Sequence, residues 1–191
     1  ALGSGGRFNT CFHVTGDDAN FLIDCGASSL VALKHFGIAR EPIDIILITH
    51  FHGDHFAGLP FFLLYAQFTR RTRPLTIAGP EGIEMRLTQA MEALYENSSK
   101  TKQKFDLNVV TLRPEQSHDF GTLNFRSPRR SRRPSRAQFS RPGRSLAQNR
   151  GLSMPPTLSC SSILTAIGNR MRRRQTPSLR SRNRGGGFVA S

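Results

Sequence analysis

A short segment rich in histidine and aspartate constrains this chain more than any other feature of its sequence. Residues 49–60 read Thr-His-Phe-His-Gly-Asp-His-Phe-Ala-Gly-Leu-Pro, and they directly follow the apolar run of residues 43–48. Such a run is typical of a central strand that is covered on both faces of a sheet. The polar segment should therefore be a tight loop at the end of a buried strand, where clustered imidazoles and carboxylates predict metal binding.

The spacing within this segment predicts two neighbouring ligand pairs. His50 and His52 are two positions apart, so in an extended segment they point to the same side. Asp54 and His55 follow Gly53 and can turn toward a second point nearby, which suits two adjacent zinc-like ions. The alternative is a surface loop rich in histidine by chance, but three of the six histidines of the chain lie in this segment. The spacing is neither that of a helical His-Glu-x-x-His motif nor that of a zinc finger.

The segment of residues 50–55 resembles the metal-binding motif of the metallo-β-lactamase-fold hydrolases. Its extension through residues 58–60, Gly-Leu-Pro, is most similar to the ribonuclease Z-like branch. Three further pieces resemble that branch in the same order. They are a Gly-rich turn at residues 2–6, a strand-end aspartate motif at residues 22–26, and a turn before a helix at residues 79–82. The resemblance covers residues 2–125.

This resemblance implies a metal-dependent hydrolase that attacks phosphodiesters, or other esters, through a metal-activated hydroxide. It implies that His50 and His52 hold one Zn2+ ion and that Asp54 and His55 hold a second. Asp54 would also be the catalytic residue that orients the water or accepts its proton. Asp24 would hold the loop by hydrogen bonds from behind the ligands, the alternative being a plain turn residue at a strand end.

The later part of the sequence departs from the family pattern. The family completes its site with a third histidine, a bridging aspartate and a last histidine, whereas this sequence has no Asp, Glu or His after Asp119. His118 precedes the strand expected at residues 122–125, while the family's next metal-binding histidine follows that strand. We therefore expect His118 on an exposed loop, weak binding of one or two zinc ions, and a truncated chain with slow turnover.

Periodicity and turn residues predict an α/β fold in which helices are layered on a sheet. By resemblance, this is the N-terminal half of a metallo-β-lactamase αββα sandwich. His13 is predicted to be a strand residue and His35 a helix-surface residue, rather than metal ligands. We expect strands at residues 9–14, 21–24, 43–48 and 75–78, a strand pair at 108–112 and 122–125, and helices at 28–36, 56–68 and 83–94.

The composition of the chain changes abruptly near residue 125. Residues 1–125 hold 11 Lys and Arg against 13 Asp and Glu, whereas residues 126–191 hold 16 Arg and no Lys, Asp or Glu. The first part is predicted to be a partial metallo-β-lactamase-like domain. The second has no sustained apolar period and cannot offset its chain entropy, which predicts a disordered tail. Two interpretations of it stay open: a basic arm that binds nucleic acid, or translation out of frame, which the composition favours.

The remaining composition limits compartment and partners. The three cysteines have no spacing typical of a disulfide framework, which favours a reduced, cytoplasmic setting. Cys25 is predicted to be a small buried hydrophobic residue. No run of 18 apolar residues occurs in the sequence, which argues against a membrane span.

The expected partner is a phosphodiester or nucleic-acid substrate, and a homodimer stays open. By family analogy, enzymes with cyclic-nucleotide esterase, arylsulfatase-like or lactonase-like activity carry the same motif, so the motif does not identify the substrate. A different class of function is a nucleic-acid-binding half-domain with an Arg-rich arm and no catalysis.

We predict that the tail after about Arg126 is cleaved rapidly by trypsin, since it lacks a pattern that could form a core. Limited digestion followed by mass spectrometry should leave a fragment that ends near Arg126. Survival of residues 126–191 under conditions that spare the first domain would contradict this prediction.

Overall fold

A six-stranded sheet forms the centre of the computed structural model, which describes residues 4–16, 19–121, 123–127 and 188–190. Its strand order is β5-β4-β3-β2-β1-β8. Strands β2 to β5 run parallel to one another, and β1 lies antiparallel to both β2 and β8. The strands are β1 (Phe12–Thr15), β2 (Asn20–Ile23), β3 (Ile45–Leu47), β4 (Leu75–Gly79), β5 (Leu107–Thr111) and β8 (Phe188–Ala190).

Four helices and a separate hairpin complete the described structure. The hairpin joins β6 (Ser117–Asp119) to β7 (Asn124–Arg126) in antiparallel register. The helices are α1 (Ser29–His35), α2 (Gly53–Phe56), α3 (Leu59–Phe68) and α4 (Ile83–Leu94), with 3₁₀ turns at Ser4–Gly6 and Ser98–Lys100. None of the helices in the described ranges is long and apolar enough to cross a membrane.

The sheet is covered on both faces, because alternate residues of each strand point to opposite sides. Leu22, Ile46 and Ile77 lie in register on one face and belong to the core that α1, α3 and α4 cover. Their neighbours on the other face, such as Phe21 and Ile45, pack with the hairpin in a second core. The order of helices, sheet and second-sheet hairpin confirms the predicted α/β class.

The predicted strand pair at residues 108–112 and 122–125 is wrong. Strand β5 pairs with β4 in the main sheet, and β7 pairs with β6 instead. The partner strand was missed because its sequence, Ser-His-Asp, has no apolar alternation. His118 is consequently a half-buried strand residue opposite Phe125, and the expectation of an exposed loop for it is also wrong. His13 in β1 and His35 at the exposed end of α1 lie where the sequence predicted.

The helix predicted at residues 56–68 is two helices, α2 and α3, separated by Ala57 and Gly58. Its apolar composition suggested burial on all sides, but α3 buries only one face, and Phe68 at its end is 81% exposed. Ser28 precedes α1, but its side chain makes no cap bond to the helix. Its Oγ instead accepts a hydrogen bond from the Asn9 N–H at 2.6 Å.

Most of the predicted tail lies outside the described residues, so its disorder stays a prediction. The described structure continues two residues past the predicted boundary at 125, because Arg126 ends β7 and Ser127 is buried. The Ser127 N–H donates to the carbonyl of Gln116 at 2.8 Å. Near the other end of the tail, Phe188–Ala190 form the edge strand β8 beside β1.

A buried arginine joins the segments that lead into the parallel strands. Arg71 is 2% exposed, and its guanidinium lies over the ring of Phe105 at 5.8 Å. All five of its side-chain N–H groups are used, as a buried guanidinium requires. They donate to the carbonyl oxygens of Arg40, Glu41, Ile43, Arg73 and Pro74 at 2.8–3.3 Å. These acceptors precede β3 and β4, so one side chain fixes the N-terminal edge of the sheet.

We predict that Arg71→Met lowers the free energy of unfolding by at least about 3 kcal/mol, because five carbonyls lose this donor in one buried and four partly buried hydrogen bonds. The matched control is Arg73→Met, which removes a half-exposed arginine paired with Asp44 and should cost less than about 1 kcal/mol. Urea unfolding followed by circular dichroism measures both. Equal losses in the two variants would contradict the structural role of Arg71.

Candidate metal centre

The histidine-rich loop lies at the C-terminal end of β3, the edge of a parallel sheet at which ligand sites usually form. Thr49 is buried at the end of the strand, and the chain then passes through His50 and Phe51 to His52. His52 has extended backbone angles and precedes the first residue of α2. Asp54 and His55 lie on α2, so the strand end and the helix each supply one of the predicted ligand pairs.

Backbone hydrogen bonds hold this loop against the ends of β1 and β2. The carbonyl of Asp54 accepts the N–H of Thr10 at 3.0 Å, and that of His55 accepts the N–H of Cys25 at 2.7 Å. The carbonyl of Cys25 in turn accepts the N–H of Gly58 at 2.8 Å. Three chain segments that are distant in sequence are therefore joined around the ligand pair on α2.

Two glycines permit this close approach. A Cβ atom at Gly26 would lie 2.2 Å from the carbonyl oxygen of Asp54. A Cβ atom at Gly58 would lie 2.2 Å from the carbonyl oxygen of Gly26. Real side chains do not tolerate such contacts with backbone atoms, so only glycine lets the β2 end and the turn between α2 and α3 pack together.

A buried carboxylate lies behind the loop. Asp24 is 0% exposed and has a φ of 63°, a left-handed conformation that aspartate tolerates better than most residues. Its Oδ1 accepts both the N–H and the hydroxyl of Thr49 at 2.8 Å. Its Oδ2 lies 2.7 Å from Nδ1 of His55. These bonds compensate the burial of the carboxylate and connect β2, β3 and α2.

The contacts around Asp24 also orient two imidazole rings. Nδ1 of His55 faces the carboxylate at 2.7 Å. Nδ1 of His50 lies 2.9 Å from the Thr49 hydroxyl, which itself donates to Asp24. In both rings Nδ1 is therefore held from behind the loop, and Nε2 faces another predicted ligand: Nδ1 of His52 for His50, and Oδ2 of Asp54 for His55.

The spacings of the predicted ligand atoms suit pairwise binding of zinc. Nε2 of His50 lies 3.2 Å from Nδ1 of His52, and Nε2 of His55 lies 3.6 Å from Oδ2 of Asp54. Two ligand atoms on one tetrahedral zinc lie about 3.3 Å apart, given metal–ligand distances of about 2.0–2.1 Å. Among the described residues, no group of three or more His, Cys, Asp or Glu side chains is placed to hold one ion. Within the described residues, the predicted ligands therefore lie as two pairs, each with two atoms at a spacing that suits one ion.

Electrostatics lower the pKa values of two of the predicted ligands, His50 and Asp54. Burial lowers the pKa of His50 below its ordinary value, the neighbouring His55 lowers it further, and Asp24 opposes the shift. For Asp54, burial is the largest effect and raises the pKa, but the charge of His55 and hydrogen bonding by the backbone are among the effects that make the net shift downward. A neutral imidazole and an ionised carboxylate are the forms that bind metal.

The two cysteines near the loop are not suited to binding metal. Cys11 and Cys25 are both buried as free thiols. Burial raises the pKa of Cys11 to about 11, and it raises that of Cys25 well above its ordinary value. Only thiolates are effective ligands or nucleophiles, and the burial of Cys25 agrees with the small hydrophobic residue that the sequence predicted.

The structure brings together all five residues that the sequence singled out for the site. His50, His52, Asp54 and His55 lie on one loop and helix end, and Asp24 contacts His55 directly. Thr49 was missed, although its position directly before the first histidine was a usable signal. The roles of Gly26 and Gly58 in close packing could not be read from spacing.

Comparison with protein families gives one match that covers most of the chain. The family model described as "Anti-Pycsar protein Apyc1" matches residues 2–149. The match includes the whole histidine-rich loop and extends beyond the composition change near residue 125.

Curated relatives match the same N-terminal part. Ribonuclease Z of Agathobacter rectalis is 46% identical over 112 residues, which is 59% of this chain and 35% of that protein. Ribonuclease Z of Thermoplasma acidophilum is 34% identical over 111 residues, or 58% of this chain and 34% of that protein. These relatives confirm the resemblance to the ribonuclease Z-like branch. The chain spans about a third of the length of the curated relatives it matches.

Solved structures with a similar arrangement include the short form of human tRNase Z, with a TM-score of 0.49 and 30% identity. It covers 58% of this chain, and the match covers 41% of that structure. The metallo-β-lactamase-fold protein YhfI from Bacillus subtilis has a TM-score of 0.49 at 20% identity, over 64% of this chain and 45% of that structure.

We predict that Gly58→Ala destabilises the protein by about 1–3 kcal/mol, because the new Cβ would overlap the backbone of Gly26. Gly53→Ala is the matched control. Its Cβ would lie 3.7 Å from the nearest atom, the Cβ of Ala57, and alanine is the better helix former. Thermal unfolding of both variants beside the wild type measures the difference. A Gly58→Ala variant as stable as Gly53→Ala would show that this contact does not constrain the fold.

Proposed function

Because the chain belongs to the family of the anti-Pycsar protein Apyc1, we propose that its histidine-rich loop is the zinc-binding part of a hydrolase site for phosphodiesters. The observation that carries this proposal is the shared support of two histidines. One buried carboxylate, Asp24, fixes His55 directly and His50 through Thr49. A loop with a merely structural role has no need for one buried carboxylate to orient two imidazoles, each facing a second metal-binding side chain.

The curated relatives support the substrate class. Their name, ribonuclease Z, describes an enzyme that acts on RNA, and RNA is cleaved at its phosphodiesters. Since the chain spans about a third of those proteins, the activity and the nucleic-acid partner are carried over here as a proposal. Hydrolysis of a phosphodiester is also the reaction that the resemblance of residues 50–55 implies.

Each residue of the loop has a proposed task. His50 and His52 would hold one Zn2+, and Asp54 with His55 would hold a second. When bound, such ions supply a hydroxide near neutral pH and neutralise charge on the phosphate. Asp54, whose lowered pKa keeps it ionised, would orient the attacking water and accept its proton. Asp24 would position the imidazoles, as carboxylates commonly do behind metal-binding histidines.

A second candidate function rests on the sequence of the tail. Its 16 arginines and absence of acidic residues suit a basic arm that binds the phosphates of nucleic acid without catalysis. In that case the affinity should fall steeply with salt and should not depend on zinc. Zinc-dependent hydrolysis that stops on addition of a chelator separates the hydrolase from this binding module.

We predict that the chain binds zinc and that the double variant His50→Ala/His52→Ala binds it at least about a hundredfold more weakly, since it lacks one ligand pair. Zinc titration by calorimetry, with metal analysis after dialysis, measures the affinity. The matched control is His13→Ala/His35→Ala, which removes two histidines outside the loop and should bind zinc like the wild type.

Hydrolysis of bis(p-nitrophenyl) phosphate in added zinc tests the reaction itself. Turnover should be slow, because no acidic residue or histidine follows Asp119 to complete a ligand set, and it should disappear in the double variant and in chelator. Equal zinc content in the wild type and the double variant would show that the ligand assignment is wrong. Hydrolysis that persists in chelator would exclude a zinc mechanism.

A further inference from the structure

A cluster of three aromatic rings lies on the surface at the end of α1. The ring of Phe8 lies 5.6 Å from that of His35 and 6.0 Å from that of Phe36, and the two latter rings are 5.0 Å apart. These three residues are called the aromatic cluster below. Phe36 remains 48% exposed and His35 is exposed. The cluster therefore presents ring surface to solvent rather than completing the core.

The aromatic cluster is close to the metal-binding loop along the chain. Thr10 donates its N–H to the carbonyl of Asp54 at 3.0 Å, and Phe8 precedes it by two residues, at most about 7 Å of extended chain. Asn9, between them, exchanges two hydrogen bonds with Ser28 at the start of α1. The backbone that carries Phe8 is thus joined by a short segment to the helix that carries Asp54.

The charge around the aromatic cluster suits a polyanion. Exposed Arg7 is adjacent to Phe8, and exposed Lys34 is adjacent to His35. Residues 4–12 and 28–40, the segments that carry the cluster, contain no Asp or Glu. The remainder of residues 1–125 is richer in acidic than in basic residues, so this surface is locally positive on a weakly acidic domain.

We propose that Phe8, His35 and Phe36, flanked by Arg7 and Lys34, form a stacking platform for a base of single-stranded nucleic acid. This inference rests on the proposed function, because it assigns a binding surface to the substrate of that same site. Proteins that bind single strands combine aromatic rings for the bases with cations for the phosphates. Phe36 supplies the exposed ring, and Phe8 and His35 hold it from the side. Arg7 and Lys34 contact the phosphates.

The test is binding of a short single-stranded RNA oligonucleotide that contains 2-aminopurine, whose fluorescence is quenched by stacking. The full chain is titrated in the presence of a chelator, so that binding is measured without turnover. Phe36→Ala should weaken binding about tenfold and remove the quenching. Phe36→Tyr, which keeps an aromatic ring, should restore both. Arg7→Ala and Lys34→Ala should each reduce the slope of affinity against salt by about one.

Phe68→Ala is the matched control, since Phe68 is an 81% exposed phenylalanine at the end of another helix. It should bind the oligonucleotide like the wild type. If Phe36→Ala and Phe68→Ala bind equally, the platform is overturned. It is also overturned if Phe36→Ala abolishes self-association in sedimentation experiments and leaves oligonucleotide binding unchanged, because a second copy of the chain would then be the partner of this surface.

One further comparison separates the two proposals. Binding that depends on Phe36 in a chain that shows neither zinc binding nor hydrolysis would remove the proposed function and leave the platform standing. Zinc-dependent hydrolysis together with oligonucleotide binding that Phe36→Ala leaves unchanged would remove the platform and leave the proposed function standing.

Discussion

The burial of the Asp24 carboxylate is the interaction on which the candidate site depends. A charge that is removed from water must be compensated by hydrogen bonds, and three donors surround this one: the N–H and hydroxyl of Thr49 and the imidazole of His55. They come from the end of β3 and from α2, whereas Asp24 follows β2. The charge can be buried only when these elements are correctly placed, so the fold and the orientation of the histidines are stabilised together.

A second buried charge fixes the opposite edge of the same sheet. Arg71 binds the carbonyls of the segments that lead into β3 and β4, and Asp24 binds the segment that leaves β3. The three-residue strand β3 is thus held at its start by a cation and at its end by an anion. Between them its side chains are fully apolar and buried. This rigid strand gives the histidine-rich loop a fixed origin, which precise placement of metal ligands requires.

The proposed zinc site consists of ligand pairs rather than a closed metal cage. His50 with His52, and Asp54 with His55, each offer two atoms at a spacing that suits one ion. A catalytic zinc usually has three protein ligands, and the sequence has no further Asp, Glu or His after Asp119. The aromatic cluster is a second proposed surface, and its test needs no metal.

The sequence by itself singled out the candidate site residues and predicted the order of most of the main elements, because both depend on local patterns. An apolar run followed by clustered histidines specifies a buried strand and a polar loop, and the helical spacing of Ile83, Leu87 and Met91 specified α4. Tertiary structure alone decided what depends on contacts between distant segments. Pairing of β5 with β4, the half-buried position of His118 within the hairpin, and the break at Gly58 arise from contacts between distant segments. The hydrogen bonds from Thr49 and His55 to Asp24 join residues 25 and 31 positions apart, and no local pattern encodes such a separation.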